Sequence, residues 1–389
     1  MIRTPAKVFI ALGLLLSVAA PVLGQASVLR SANHDYRVVT VADGLINPWS
    51  IAFLPEGDIL ITERPGRLRL VRHGVLRMEP IEGVPDVLVE GQGGLFDVVP
   101  HPDFELNRWL YLTYAKPIGD GTEATTAIAR GRFENDRLMD VEDIFVAQSR
   151  GRPGHYGARI AFDADGYLFV TVGDRQIPST GDLEAHPAQD ISNHHGTVNR
   201  LNDDGSVPTD NPFVGQSGAL PEIWSHGHRN PQGLAIHPET GDVWSIEHGP
   251  QGGDELNRIL PGLNYGWPVI GYGVNYGSGL AIHEGTLRDG IESPTNFWVP
   301  SIATSGLMIY TGDLFPAWKG NIFAGGLAGQ QVARLTMDGP RVVREETLLQ
   351  GLGRVRDIRQ SPEGYIYVAI ESRDGTPTAV VRLEPAGAR

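Results

Sequence analysis

The chain of 389 residues contains no cysteine, so no disulfide framework braces it and no thiol chemistry is available to it. That absence permits an oxidising compartment without requiring one. Basic residues are also short: 32 Lys and Arg stand against 46 Asp and Glu, for a formal charge of −14. A chain so acidic repels phosphate backbones and anionic lipid, which argues against nucleic acid or a membrane surface as partner. Cations and neutral solutes such as sugars remain compatible. Beyond the first two dozen residues no apolar run is long enough to cross a bilayer as a helix. Nor does any stretch keep a 3.6-residue apolar period for more than about three turns.

The one long apolar run stands at the start. Met1 to Lys7 carries two positive charges, Val8 to Ala20 is apolar, and Pro21 leads into small residues through Gly24 and Ala26. This order predicts a secretory signal peptide over residues 1–25, with an uncleaved anchor as the alternative. Its removal takes Arg3 and Lys7 with it, leaves residues 26–389 and moves the formal charge from −14 to −16. The expected location is therefore the periplasm or the outside of the cell. The whole chain is 41% hydrophobic and 20% charged, an ordinary globular balance able to bury a large core.

Abundant glycine and proline, 49 and 28 residues, punctuate a recurring phrase. An apolar alternation runs into a Pro/Asp/Gly turn and then into a second alternation, which marks a β-hairpin. Copies begin at Trp49, Gly94, Ala158, Gln232, Gly306 and Arg356, roughly 45 to 75 residues apart. Further alternating strands follow most copies, as in Gly66–Arg72, Ala127–Phe133 and Gln331–Leu335. Units of three or four strands that cannot bury both faces alone stack radially, so the chain reads as all-β, a single six-bladed β-propeller. Two long insertions, 189–216 and 256–296, interrupt the later repeats, and long loops in compact repeat folds usually carry function.

Polar residues crowd the segments that lead into the innermost strands, where a propeller gathers its loops at one mouth of the channel. Trp224 to His237 places Arg229 and Asn230 there, a fixed cation and an amide suited to a quinone or carboxylate oxygen. The alternative is that both merely tie blade loops together. Glu247 to Asn257 and Gly262 to Pro268 mix carboxylates, amides and turns that can present several oxygens to calcium, or serve as ordinary turns. His155 precedes the third repeat; it is either a general base or a structural histidine. Gln92, Arg354 and Arg356 hold equivalent places in their own repeats.

These motifs, Gly227 to Leu234, Glu247 to Asn257, Asn264 to Pro268 and Arg354 to Asp357, resemble the soluble PQQ-dependent aldose sugar dehydrogenases, related to soluble glucose dehydrogenase and sorbosone dehydrogenases. The resemblance covers essentially the whole mature chain. It implies that PQQ (pyrroloquinoline quinone) and calcium are the cofactors and that His155 takes a proton from the sugar C1 hydroxyl while hydride passes to the quinone C5. It implies that Arg229 polarises the C5 oxygen and that Gln92, Asn230, Tyr276, Arg354 and Arg356 hold PQQ. The backbone oxygens of Gly249 and Pro250 would bind the cofactor's calcium, Glu255 and Tyr265 would belong to a second, structural calcium site, and Trp298 would wall the sugar.

Two departures stand out. Ala328 occupies the place of a lysine that contacts PQQ in soluble glucose dehydrogenase, and Gly154 that of an aspartate before the histidine. Both remove charge, so either PQQ binds more weakly or Gln330 and Gln331 compensate. A calcium-dependent propeller lactonase and a non-catalytic carbohydrate- or protein-binding propeller are the competing readings, because a fold does not fix a function.

Overall fold

The computed structural model describes residues 27–387, so the expected export segment, residues 1–25, lies outside the described residues. Six antiparallel sheets are arranged as the blades of a β-propeller. The innermost strands are Pro48–Phe53, Leu95–Pro100, Ile160–Phe162, Pro231–Ile236, Thr304–Ile309 and Arg354–Gln360, each beginning within or at the edge of a sequence repeat. Among the described residues no helix is long and apolar enough to cross a membrane.

Both faces of each blade are buried, which explains why the second strands are continuously apolar instead of alternating with polar residues. In Leu168–Val172, Leu168 and Val170 pack towards Tyr111 and Ile128 of the second blade. Phe169, pointing the other way as the two-residue period demands, joins Leu234 and Val243 of the fourth blade. The same scheme seals the joint between the fifth and sixth blades with Phe323, Val332, Val355 and Val368.

The ring is closed by a strand from the other end of the chain. Tyr36–Leu45 pairs antiparallel with Thr378–Pro385, with Val38 opposite Leu383 and Thr40 opposite Val381. The last blade is therefore completed by both chain ends, which the repeats alone did not reveal. The 189–216 insertion also differs from expectation, because Thr197–Leu201 inside it is the third strand of the third blade. Its polar Thr197, Asn199 and Arg200 are buried beside other polar groups and hide the strand's apolar period.

Where the inner strands converge, the channel is filled by paired charges. Arg159 reaches Asp357 at 2.9 Å, and Arg359 bridges Asp97 at 2.7 Å and Asp357 at 2.9 Å. Asp97 also accepts from Ser50 Oγ and from the Ile160 backbone N–H, while Asp357 accepts from the Ile51 N–H. Two carboxylates thus join blades 1, 2, 3 and 6. Removing one leaves buried guanidinium groups uncompensated, so Asp97→Ala is expected to cost about 3–5 kcal/mol in chemical denaturation. A loss below about 1 kcal/mol would show that this cluster does not hold the ring.

Candidate functional site

The segments entering the inner strands and those leaving the second strands meet at one end of the channel. At the end of the second strand in three blades, and two residues beyond it in the third blade, an acid holds the entering segment of the same blade. Glu63 accepts from the Ile46 N–H at 2.6 Å, and Glu247 from the Arg229 N–H at 2.5 Å. Asp174 holds the His155 ring at 2.6 Å, and Glu371 pairs with Arg354 at 2.9 Å and Arg356 at 2.8 Å. Three adjoining cavities open at this mouth.

The first, about 770 Å³, is bordered by every blade and includes Trp49, Arg64, Gln92, Asn230, Leu327, Arg354, Arg356, Glu371 and Arg373. Its four guanidinium groups face one carboxylate. Glu371 is held below the ordinary carboxylate range, because burial, which would raise it, is outweighed by Arg356 and Arg354. Arg64 donates to the carbonyls of Gly91 and Gly93, and among the described residues neither it nor Arg373 has a carboxylate within ion-pair distance. This excess of positive charge suits a flat polyanion. Below lies Trp49, whose ring is 4.0 Å from the Arg159 guanidinium.

The second cavity, about 1090 Å³, shares Gln92 and His248 with the first and brings together His155, Asp174, Gln176, Arg229, Trp267 and Tyr276. Asp174 accepts from His155 Nδ1 at 2.6 Å and, through its other oxygen, from Trp267 Nε1 at 2.8 Å. A carboxylate only accepts, so Nδ1 carries the proton and Nε2, with no partner among the described residues, keeps its lone pair for an incoming hydroxyl. Burial holds His155 below its usual value against the attraction of Asp174, and Arg229 adds to the lowering. Asp174 also lies low, since His155 and Arg229 overcome the effect of its burial.

His155 has a φ of 48°, a left-handed conformation that costs energy for a residue with a Cβ. It is kept there by its N–H donating to Gln92 Oε1 at 2.9 Å and its carbonyl accepting from the Arg175 N–H at 3.3 Å. Gln92 and Asn230 therefore tie loops together as well as line the cavity, since Asn230 Oδ1 accepts from the Gly157 N–H. Their amide NH₂ groups remain available for other work, although Asn230 Oδ1 also takes Gln232 Nε2.

Arg229 lies 5.1 Å from the Trp267 ring, donates to the His248 carbonyl, and has a buried Nε with no partner among the described residues. The third cavity, about 290 Å³, lies beside it and gathers Glu247, Gly249, Pro250, Glu255 and Tyr265. Burial and the neighbouring Glu247 carboxylate push Glu255 well above its ordinary value. Among the described residues no three His, Cys, Asp or Glu side chains form a metal-sized cluster. Any cation here would draw on backbone oxygens and the two glutamates.

Of the residues singled out in sequence, Gln92, His155, Arg229, Asn230, Arg354, Arg356, Gly249 and Pro250 border these cavities, Glu255 and Tyr265 border the third, and Tyr276 stands exposed at the lip. Trp298 does not join them. It pairs opposite Asp254, packs among Trp244, Leu256 and Leu307, and donates its Nε1 to Glu345, so its face of the strand belongs to the joint between blades. Phe297, on the opposite face, stacks on Tyr272 at 3.9 Å.

Ala328 and its neighbours also differ from expectation. The Ala328 N–H donates to Ile302, the Gln330 carbonyl accepts from Gly351, and neither Gln330 nor Gln331 borders the cavity, whose lining includes Arg64 and Arg373. Asp174, Arg64 and Arg373 escaped the sequence reading, while His248 and Trp267 fell inside the motifs Glu247 to Asn257 and Asn264 to Pro268 without being given a role. The signal for Asp174 was present, because an acid follows the second alternation at Glu63, Asp174, Glu247 and Glu371 alike.

The sequence pattern of the Glucose / Sorbosone dehydrogenase family matches residues 45–382. The aldose sugar dehydrogenase YliI of Escherichia coli is 40% identical over 362 residues, 91% of this chain and 95% of its own. A solved glucose dehydrogenase superposes with a TM-score of 0.83 at 45% identity, covering 90% of this chain and 99% of that one. The PQQ-bound aldose sugar dehydrogenase of Streptomyces coelicolor gives a TM-score of 0.72 at 26% identity, over 90% and 98% of the two chains.

The pairing of His155 with Asp174 generates a test that needs no ligand. In an NMR titration of the purified protein, the His155 ring is expected to titrate below the unperturbed value of about 6.5. Asp174→Asn removes the attraction that favours the charged ring and is expected to lower the midpoint further. A midpoint at or above 6.5, or an upward shift in the variant, contradicts the arrangement.

Proposed function

Since the chain belongs to the glucose and sorbosone dehydrogenase family, we propose that it is an exported quinoprotein that oxidises soluble aldoses at C1 to lactones, using PQQ and calcium. The observation that carries this reading is the oriented His155 base with its free Nε2, placed in a cavity that adjoins one lined by four arginines. PQQ is a planar tricarboxylate, and Arg64 and Arg373, which have no carboxylate within ion-pair distance among the described residues, fit such a guest, as does the orphaned Nε of Arg229. A divalent cation fits the third cavity for a similar reason, because it relieves the repulsion between Glu247 and Glu255. Gly249 and Pro250 would offer their backbone oxygens to the cofactor's calcium, and Glu255 and Tyr265 would hold the second.

When bound, the quinone supplies the two-electron acceptor and calcium the Lewis acid that polarises it. The chain's own residues do the rest. His155 Nε2 takes the proton of the C1 hydroxyl, and Asp174, bonded to Nδ1, keeps the ring oriented and stabilises the imidazolium that results. Trp267 holds the second Asp174 oxygen and so fixes the carboxylate's plane. Arg229 supplies positive charge that is already in place before negative charge develops, without a reorganisation cost at that moment. Arg64, Arg354, Arg356 and Arg373 would bind the carboxylates of the cofactor.

The lactonase reading would place a cation on the channel axis among free carboxylates. Here Asp97 and Asp357 are already bonded to Arg159 and Arg359, so guanidinium groups take that position. A physiological electron acceptor is still required by the reading, as a partner that reoxidises the cofactor.

Reconstitution tests the proposal. Apo-protein supplied with PQQ and calcium should reduce a dye with glucose or xylose, and omission of either addition should abolish the reaction. His155→Ala should lower kcat by about 10²–10⁴ while PQQ binding persists. Lactone hydrolysis without quinone, or unchanged turnover in the variant, would refute this assignment.

A further inference from the structure

Gly154, next to the proposed base, makes room for a neighbour. A Cβ built on it would fall 2.5 Å from the carboxamide carbon of Gln176 and 2.6 and 2.7 Å from its nitrogen and oxygen. Only a residue without a side chain lets Gln176 lie there. The Gln176 side chain makes no hydrogen bond among the described residues, although it is half-buried and borders the cavity that contains His155.

Its backbone is held firmly and at some cost. Arg175 and Gln176 are both left-handed, with φ of 57° and 54°, where residues with a Cβ are uncommon. The buried Arg175 side chain pins this turn, donating to the carbonyls of Gly154, Ala124, Ser149 and Arg152 and lying 3.8 Å from the Tyr156 ring centroid. The Gln176 N–H donates to Asp174 Oδ1, the same oxygen that orients His155. An unpaired amide on so constrained a turn, fixed to the base's own partner, is prepared for a polar ligand group.

We propose that Gln176 is a sugar-selecting residue whose carboxamide hydrogen-bonds the hydroxyl on the carbon next to the one oxidised. The inference rests on the dehydrogenase reading, since the C1 hydroxyl at His155 sets where the rest of the sugar lies. A carboxamide both donates and accepts, which matches a hydroxyl; a ring oxygen can only accept. Gln176 borders the His155 cavity and not the arginine-lined one, which puts its carboxamide on the side of the proposed base and away from the arginines.

The test compares glucose with 2-deoxyglucose in the reconstituted holoenzyme. Gln176→Ala should lower kcat/KM for glucose by about 3- to 10-fold, mainly through KM, and should leave 2-deoxyglucose within about 2-fold. The variant should thus lose most of the wild type's preference for glucose. Equal losses on both sugars, or none on glucose, overturn the proposal. Saturation-transfer NMR with the same sugars and the protein without cofactor reads the contact apart from turnover. Weakened glucose binding in the variant, with 2-deoxyglucose unchanged, supports the contact even if the wild type proves unable to turn over any aldose. That second result would defeat the dehydrogenase reading alone, whereas glucose binding equal in wild type and variant would defeat this one.

Discussion

Six sheets can share one axis only if their innermost strands approach each other closely, and the charges of Asp97, Arg159, Asp357 and Arg359 settle what fills that space. Apolar side chains would pack there too, but backbone N–H groups of Ile51 and Ile160 also point at the axis and need acceptors. The carboxylates satisfy both demands, binding guanidinium groups and backbone donors from different blades. Arg159 extends this cluster upwards, donating to the carbonyls of Gln232 and Arg356 and underlying Trp49. The floor of the arginine-lined cavity is therefore set by the same interactions that hold the ring.

Above that floor, one device recurs with different outcomes. An acid at the end of a second strand grips the segment that enters the inner strand. In the first and fourth blades it takes a backbone N–H, a structural use. In the third blade an acid two residues beyond the strand takes an imidazole, and in the sixth the strand-terminal acid takes a pair of arginines. A repeated structural contact has been turned into a base-orienting pair in one place and a charge-setting pair in another. Rigid attachment to a closed ring is what makes those orientations reproducible.

The architecture was legible because hairpins recur: the apolar alternations at Trp49, Ala158, Gln232 and Arg356 open on inner strands as read. The closing strand Tyr36–Leu45 was not, since pairing between residues more than three hundred apart leaves no local mark. The mouth was legible from repeat equivalence, which put Gln92, His155, Arg354 and Arg356 in corresponding places before any contact was known. Asp174 was missed because the repeats were compared only as far as the apolar alternation ran. The direction of Trp298 was not legible, because an aromatic residue in a three-residue strand faces either way and packing between blades decides which. Gln176 had no signal in sequence, as its position depends on the space left by Gly154.

The central claim is that this mouth binds a redox-active quinone with an aldose beside it. The absorbance spectrum of the chain, loaded with PQQ and calcium and freed of excess cofactor, tests it without a dye or an electron acceptor. A retained stoichiometric chromophore whose spectrum changes to that of the reduced quinone on anaerobic addition of aldose is the predicted result. A chromophore that washes away, or one that aldose leaves unchanged, would contradict the account.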